Sequence, residues 1–216
     1  MSTEINPDEK VEIVDGVRYE YSTRWIYQLE EEEHWRLYWN QQKIAESKIE
    51  AGDRVLEIGL GTGFTANYLR GRGVRVTTLD IDAEKKPDIV GNIVSHTFEQ
   101  QYDHFLAFEI FEHIPYDKFT QSLRQIRPAC GQYFFLSLPI ARIRKFEIEI
   151  WTRFLGRRRL LLSRRRKKIQ TRHHFWEIDH GETTWENVQA TFRETGFEVE
   201  QTRDAFLRRF IRLRSV

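Results

Sequence analysis

The sequence predicts an α/β fold whose core is a doubly wound, mostly parallel sheet with helices on both faces. Short apolar segments alternate with segments of helical periodicity from residue 51 onward, a pattern typical of repeated strand–helix units. A glycine-rich turn follows the first apolar segment at residues 59–63, and Asp80 closes the second. Strands in such a sheet are expected to be covered on both faces.

Residues 1–50 are predicted to form an arm and helices that pack on this core. A short strand is expected at 11–14. No Pro or Gly occurs from Arg18 to Ile49, and large apolar residues recur at helical spacing, which predicts one or two helices there. The predicted domains are therefore 1–50, the arm and helices, and 51–216.

Seven strands and three helices are predicted within residues 51–216. A Thr183-x-x-Glu186 pattern is a capping box that begins the last helix. The strands are expected at 54–58, 74–79, 87–90, 105–108, 131–138, 197–200 and 206–213, and the helices at 63–70, 116–126 and 183–195.

Composition indicates a single cytoplasmic domain of 216 residues with a substantial core. Charged residues make up 31% of the chain, and the net charge is +1. No apolar run is long enough to cross a membrane, and the first ten residues lack a signal-peptide core. The single cysteine, Cys130, has apolar neighbours and is predicted to be a buried thiol in a reducing compartment.

Charge is distributed unevenly along the chain. Residues 1–53 hold 13 acidic and 6 basic side chains, whereas residues 141–172 hold 13 basic and 2 acidic ones. Residues 141–172 are predicted to be a lid-like insertion after the fifth strand, with three interpretations open. In the first, they form a solvated helical lid that acidic N-terminal helices of this chain or of a partner neutralise. In the second, they recruit an anionic acceptor, such as a phosphorylated or lipid-linked sugar, at a membrane surface. In the third, they bind RNA. The oligomeric state stays open.

The glycine spacing distinguishes between nucleotide sites. A dinucleotide site of the G-x-G-x-x-G type would need glycine where this chain has Phe64, and no Gly-Lys-Ser/Thr follows for a P-loop. The observed pattern is Glu57-x-Gly59-x-Gly61-x-Gly63. It resembles the first motif of class I S-adenosylmethionine-dependent methyltransferases.

Later segments extend the resemblance to the small-molecule, type 11/12-like branch of that family. They are Asp80 within 79–82, the turn at 87–93, the acid-His-Ile-Pro run at 112–115 and Thr-Gly-Phe at 195–197. The resemblance covers about residues 51–139 and 173–213. It implies a Rossmann-like fold and S-adenosylmethionine as the cofactor.

The resemblance also implies roles for individual residues. Glu57 would attract the cofactor's ammonium group, Asp80 would accept hydrogen bonds from both ribose hydroxyls, and Gly61 and Gly63 would let the backbone approach the ligand. Gly59, Ile81, Asn92, Ile93 and Phe108 complete the predicted cofactor site. Asn92 would contact the adenine edge, where the family often has an acid. The alternatives are a plain tight turn for the glycines, an exposed strand-end carboxylate for Asp80, a turn role for Asn92, and core roles for Ile81 and Ile93.

Methyl transfer from a sulfonium requires mainly alignment, and a base only where the acceptor must lose a proton. His113 follows the fourth strand at the ligand-binding edge of the sheet, so it is the predicted base; a capping role is its alternative. Three further histidines are candidates: His173, His174 and His180. No His/Cys cluster has metal-ligand spacing, so no metal is predicted.

The favoured function is methyl transfer to a small-molecule or glycan-type acceptor, at oxygen. Two alternatives remain at this stage. One is an RNA or protein methyltransferase that docks through residues 141–172, and the other is a catalytically inactive binding module.

Overall fold

A computed structural model describes residues 9–14, 16–22, 32–154, 156–166, 169 and 173–216. The strands are β1 (Glu9–Val14), β2 (Val17–Ser22), β3 (Arg54–Ile58), β4 (Arg75–Asp80), β5 (Ile89–Val90), β6 (Tyr102–Phe108), β7 (Cys130–Pro139), β8 (Arg142–Thr152), β9 (Gly156–Arg165), β10 (Phe197–Ala205) and β11 (Arg208–Ser215). The helices are α1 (Glu32–Ala45), α2 (Phe64–Gly71), α3 (Tyr116–Ala129) and α4 (Trp185–Glu194), with short 3-10 helices at Ala83–Lys85 and Phe111–His113.

A seven-stranded sheet in the order β10-β11-β7-β6-β3-β4-β5 forms the centre of the molecule. Strands β3 to β7 pair in parallel, whereas β11 pairs antiparallel with both β7 and β10. The chain winds from β3 outward to β4 and β5, and then returns to β6 on the other side of β3. This reversal opens a crevice at the carboxyl ends of β3 and β6, where such sheets bind ligands. The predicted doubly wound sheet is confirmed.

Alternate residues of the central strands point into two separate cores. Leu56 and Ile58 of β3 pack in the core that includes α3 and α4, whereas Val55 packs in the core that includes α1 and α2. In β7, Phe134 and Phe135 divide in the same way. The period of two places each neighbour on the opposite face, so both faces of the sheet are buried.

The N-cap of α4 lies one residue later than predicted. Its N-cap is Thr184, whose hydroxyl accepts a hydrogen bond from the backbone N–H of Asn187 at 3.2 Å. Thr183 instead forms an isolated bridge with His180. Either threonine can cap a helix, and the bridge determines which one does.

The prediction that a helix begins at about Arg18 is wrong. Val17–Ser22 is a strand that pairs antiparallel with β1, with Val14 opposite Val17. Tyr19 is buried and Arg18 is exposed, which is the alternation of a strand. The sequence pair Asp-Gly at 15–16 is a strong local signal for a hairpin. The predicted arm at residues 1–8 and the predicted helix at 23–31 lie outside the described residues.

The basic insertion is a β-hairpin, so the interpretation as a helical lid is wrong. Strands β8 and β9 pair antiparallel as a separate two-stranded sheet, with Phe146 opposite Leu162 and Ile148 opposite Leu160. Apolar residues at 146, 148 and 150 repeat with period two, which favours a strand over a helix. Residues 155, 167–168 and 170–172 of the insertion lie outside the described ranges.

Cys130 begins β7 and is buried. Burial raises the pKa of its thiol to about 12, so the thiol stays protonated at neutral pH. This agrees with the predicted structural thiol.

Candidate active site

A pocket of about 450 Å³ opens at the carboxyl ends of β3, β4 and β6. The structure brings most of the predicted cofactor residues together there: Glu57, Gly59, Gly61, Asp80, Ile81, Asn92, Ile93 and Phe108 all line the pocket. Gly63 is the N-cap of α2 and is not among the lining residues. The predicted base, His113, lines the same pocket.

Two glycines shape the turn after β3 for different reasons. Both adopt positive φ, +80° at Gly59 and +54° at Gly61. A Cβ at Gly59 would overlap the side chain of Ile110, so that position needs glycine for packing. A Cβ at Gly61 would meet no atom within 4 Å of the described structure. Because Gly61 lines the pocket, its missing side chain leaves space for a ligand.

Asp80 is held in one orientation at the end of β4. Its Oδ2 accepts the backbone N–H of Leu60, and its Oδ1 accepts that of Asp82, each at 2.8 Å. The ammonium of Lys85 lies 3.2 Å from Oδ2. Only 4% of Asp80 is exposed, so the alternative of an exposed strand-end carboxylate is wrong. A carboxylate oxygen accepts more than one hydrogen bond, so Asp80 retains capacity for a ligand's hydroxyl groups.

Glu57 is a buried carboxyl group that forms no ion pair with a cation among the described residues. Its Oε2 has no hydrogen-bond partner in the part of the chain that the structure describes. Burial raises the pKa of Glu57 to about 8, and the charge of Asp80 adds to this. A cationic group of a ligand in the pocket would therefore stabilise the ionised form.

The side-chain oxygen of Asn92 stabilises a turn, whereas its side-chain nitrogen is a donor without an acceptor among the described residues. Its Oδ1 accepts the backbone N–H of Val94 at 3.0 Å, while its buried Nδ2 has no partner among the described residues. An unpaired buried donor costs free energy unless a ligand or water accepts from it. The turn role and a contact with a ligand are thus compatible.

Histidines line the pocket next to the segment that follows β6. Of the four candidates, His113, His173 and His174 are lining residues and His180 is not. The Nδ1 of His113 lies 3.1 Å from the carbonyl oxygen of His173, and the Nδ1 of His174 lies 2.9 Å from Oε1 of Glu177. Burial lowers the pKa of His113 to about 4, so its imidazole is neutral at physiological pH.

Glu112 is a pocket residue to which the sequence assigned no role. It is fully buried, and neither of its carboxylate oxygens has a hydrogen-bond partner within the described ranges. Burial, together with the charge of Glu109, raises its pKa well above the ordinary value. The residues that surround Glu112 come from distant parts of the chain. The only local signal in the sequence was therefore the acid-His pair at 112–113.

The N-terminal segment also forms part of the pocket wall. Its lining residues come from β2 and α1: Tyr19, Glu20, Tyr21, His34, Leu37, Tyr38 and Gln41. Tyr38 and Thr62 share a hydrogen bond of 2.6 Å, and the ammonium of Lys10 lies 2.8 Å from Oδ1 of Asp82. The sequence had assigned this segment only a packing role. The pocket thus includes residues on both sides of the boundary predicted at residue 50.

Solved structures with similar folds include several methyltransferases. Magnesium protoporphyrin IX methyltransferase from Synechocystis PCC 6803, with bound SAM, has a TM-score of 0.57 at 11% identity and covers 85% of this chain and 80% of its own. The 1,6-didemethyltoxoflavin-N1-methyltransferase of Burkholderia thailandensis, with its acceptor and S-adenosylhomocysteine, has a TM-score of 0.54 at 14% identity over 98% and 97%. The glycopeptide N-methyltransferase MtfA, complexed with S-adenosylhomocysteine, has a TM-score of 0.55 at 14% identity over 82% and 89%.

A comparison with curated protein sequences finds no match. Residues 27–202, most of the chain, match the family described as methyltransferase domain. That range includes the glycine turn, Asp80 and the histidine side of the pocket. The chain therefore belongs to the methyltransferase domain family, and the prediction of a class I S-adenosylmethionine-dependent methyltransferase is confirmed.

Proposed function

We propose that the pocket holds S-adenosylmethionine and that this chain transfers the cofactor's methyl group to a small organic acceptor. The observation that carries the proposal is the convergence of the glycine turn, Glu57 and Asp80 on one crevice. Their chemistry matches three parts of that cofactor: a carboxylate, an ammonium group and a ribose diol. A dinucleotide has no ammonium group to stabilise a buried carboxylate such as Glu57.

Each part of the cofactor has a complementary group in the pocket. Asp80 would accept from the ribose hydroxyls, with Lys85 moving aside or sharing the carboxylate. The carboxylate of the cofactor would lie against backbone amides at the start of α2. Glu57 would pair with the ammonium group. Ile81 and Ile93 would flank the adenine, and the free Nδ2 of Asn92 would donate to a ring nitrogen.

The acceptor is proposed to be a small molecule, with oxygen as the favoured atom. The similar structures named above are, by their names, methyltransferases for a porphyrin, a toxoflavin precursor and a glycopeptide. Those names support a small-molecule class and include nitrogen as an accepting atom. The role of His113 as a base stays a prediction.

The basic hairpin supports an acceptor that resides at an anionic membrane surface. One face carries Phe146, Ile148, Ile150, Leu160 and Leu162, all exposed, and the turn region presents Trp151 and Phe154 at 84% and 94% exposure. Residues 142–166 hold ten basic and two acidic side chains. Exposed apolar groups among cations are complementary to an anionic lipid surface. None of the described helices has the length and apolar character needed to cross a bilayer.

Calorimetric titration with S-adenosylmethionine and S-adenosylhomocysteine tests the central proposal. We expect one site per chain for each ligand. Incubation with cofactor labelled in its methyl group, together with extracts of small molecules, should then yield a labelled organic product. Absence of heat and of a thermal shift with both ligands would overturn the proposal.

A further inference from the structure

We propose that Glu112, His113 and His174 form a binding site for one divalent transition-metal ion in the pocket wall. These three side chains place one carboxylate oxygen and two imidazole nitrogens within 4.8 Å of one another. His113 and His174 cross at 80° with ring centroids 5.0 Å apart, so the two rings do not stack. Two imidazoles and one carboxylate are a common ligand set for such ions.

The surroundings of Glu112 favour a bound cation. The residue is 0% exposed, and both carboxylate oxygens are without a hydrogen-bond partner in the described structure. A buried carboxyl group without a partner stays protonated, and it becomes ionised only when it is paired with a cation or coordinates a metal. The positively charged groups nearest in the pocket wall are engaged elsewhere: Arg208 pairs with Glu109, and Lys85 with Asp80.

The hydrogen bonds of His113 and His174 engage the Nδ1 of each ring and leave the Nε2 for a metal ion. A carbonyl oxygen only accepts, so the Nδ1 of His113 that faces the carbonyl of His173 carries the proton. The Nδ1 of His174 likewise donates to the carboxylate of Glu177. With the proton on Nδ1, the Nε2 of each ring carries the lone pair that a metal ion would bind. A histidine that binds a metal ion commonly donates its other ring N–H to a carboxylate, and Glu177 is such a carboxylate for His174.

Glu177 is itself fixed by a buried ion pair. It is 0% exposed and pairs with Arg166, which directly follows β9. The backbone N–H of Arg166 donates to the carbonyl of Ala141 at the base of the hairpin. We therefore assign Glu177 as a positioning residue that orients His174 toward the ion.

An ion held by three protein ligands keeps coordination positions that face the pocket. Zn²⁺, Mn²⁺ and Fe²⁺ accept this mixed nitrogen and oxygen set. The consequence for catalysis rests on the proposed function: a hydroxyl acceptor bound to the ion would be oriented, and its proton would pass more easily to water in the pocket. The acceptor oxygen would then take the methyl group as the bond from that methyl to the cofactor's sulfur breaks. The same Nε2 of His113 cannot then serve as a general base, so metal binding and the base role are alternatives.

The test measures metal binding directly and does not depend on methyl transfer. The full-length chain is stripped with a chelator and titrated with Zn²⁺ by calorimetry and with Co²⁺ by visible absorption. We expect one ion per chain and a Co²⁺ spectrum with d–d bands. Glu112→Gln and His174→Gln should each weaken binding at least tenfold, and Glu177→Gln should weaken it 10- to 100-fold.

His180→Gln is the matched control, since this histidine lies outside the pocket. Its metal affinity should equal that of the unchanged chain. Glu112→Gln removes a buried unpaired carboxylate and keeps its shape, so this variant is expected to fold; its thermal unfolding is recorded beside the titration. Metal affinity that is absent, or is the same in Glu112→Gln and His174→Gln as in the unchanged chain, overturns the proposal. S-adenosylmethionine is titrated into the same preparations, so failure of the metal site is distinguished from failure of the cofactor site.

Discussion

The backbone N–H of Leu60 donates to the Oδ2 of Asp80 across 2.8 Å, which joins the glycine turn after β3 to the acidic end of β4. Asp80 therefore positions the turn as well as offering acceptors to a ligand. The link also explains how two motifs twenty residues apart act as one site. Parallel pairing of β3 with β4 brings their carboxyl ends side by side.

Asp80→Ala should weaken binding of S-adenosylmethionine by at least tenfold. Hydrogen bonds to a charged group contribute about 1.5–3 kcal/mol each, which is roughly 10- to 100-fold in affinity per lost contact. Calorimetry measures the change, with Asp117→Ala on the exposed first turn of α3 as the control. Equal affinity of Asp80→Ala and the unchanged chain would show that the ribose lies elsewhere.

Gly61→Val should abolish cofactor binding, because the new side chain would enter the open space of the pocket. The backbone at φ +54° also strains a β-branched residue by about 1–2 kcal/mol. Gly181 provides a matched control, since its φ is +56° and a Cβ there also meets nothing within 4 Å of the described structure. Gly181→Val should lose similar stability in thermal unfolding and retain binding. If both variants bind alike, Gly61 does not face the cofactor.

Binding of S-adenosylmethionine near pH 7 should release a proton from Glu57. With a pKa of about 8, this carboxyl is mostly protonated in the free protein, and pairing with an ammonium group favours its ionised form. Affinity should therefore rise between pH 6 and pH 7.5. Calorimetry in two buffers with different ionisation enthalpies counts the protons released. Glu57→Gln should release none, and unchanged proton release in that variant would contradict the assignment.

Glu57 should also make the folded state less stable as the pH rises. The native state binds this proton more tightly than the unfolded chain does, because the pKa is raised from about 4.5 to about 8. The free energy of unfolding contributed by Glu57 therefore falls between these two values and is constant above them. Denaturant unfolding of Glu57→Gln should show an advantage over the unchanged chain that grows from pH 5 to pH 8. An advantage that does not depend on pH would be inconsistent with a buried, titrating carboxyl.

The central sheet and the cofactor side of the pocket were predictable because their signals are local. The glycine turn and Asp80 each end a short apolar strand, and the switch in strand order brings such ends together. The interpretation of the basic insertion failed because its charge obscured the period-two repeat of Phe146, Ile148 and Ile150. The first strand of the N-terminal hairpin was expected at 11–14 and is present as β1. Its partner β2 was missed, since the helical spacing of nearby aromatic residues outweighed the Asp-Gly pair.

The histidine side of the pocket could not be predicted in the same way. Glu112 and His174 are neighbours only because residues 173–177 pack beside the segment after β6, where the backbone N–H of Phe175 donates to the carbonyl of Glu112. No spacing rule relates residues so far apart in the chain. The burial of Glu57, and with it the raised pKa, likewise depends on β4 and β6, the strands that pair with β3 on either side.

Replacing Trp151 and Phe154 by Ser should abolish binding to anionic vesicles and leave cofactor affinity unchanged. Both side chains are almost fully exposed, so their removal costs the fold little, whereas an apolar anchor among basic residues is lost from the hairpin. Sedimentation with vesicles of phosphatidylcholine and phosphatidylglycerol measures this, and vesicles of phosphatidylcholine alone should bind weakly because the cations lack a complementary surface. Tyr68→Ser, which removes an exposed aromatic residue of α2, should bind vesicles like the unchanged chain. The membrane proposal would be contradicted if the chain did not bind anionic vesicles and bound single-stranded RNA with a steep salt dependence. The partner of this hairpin would then be nucleic acid.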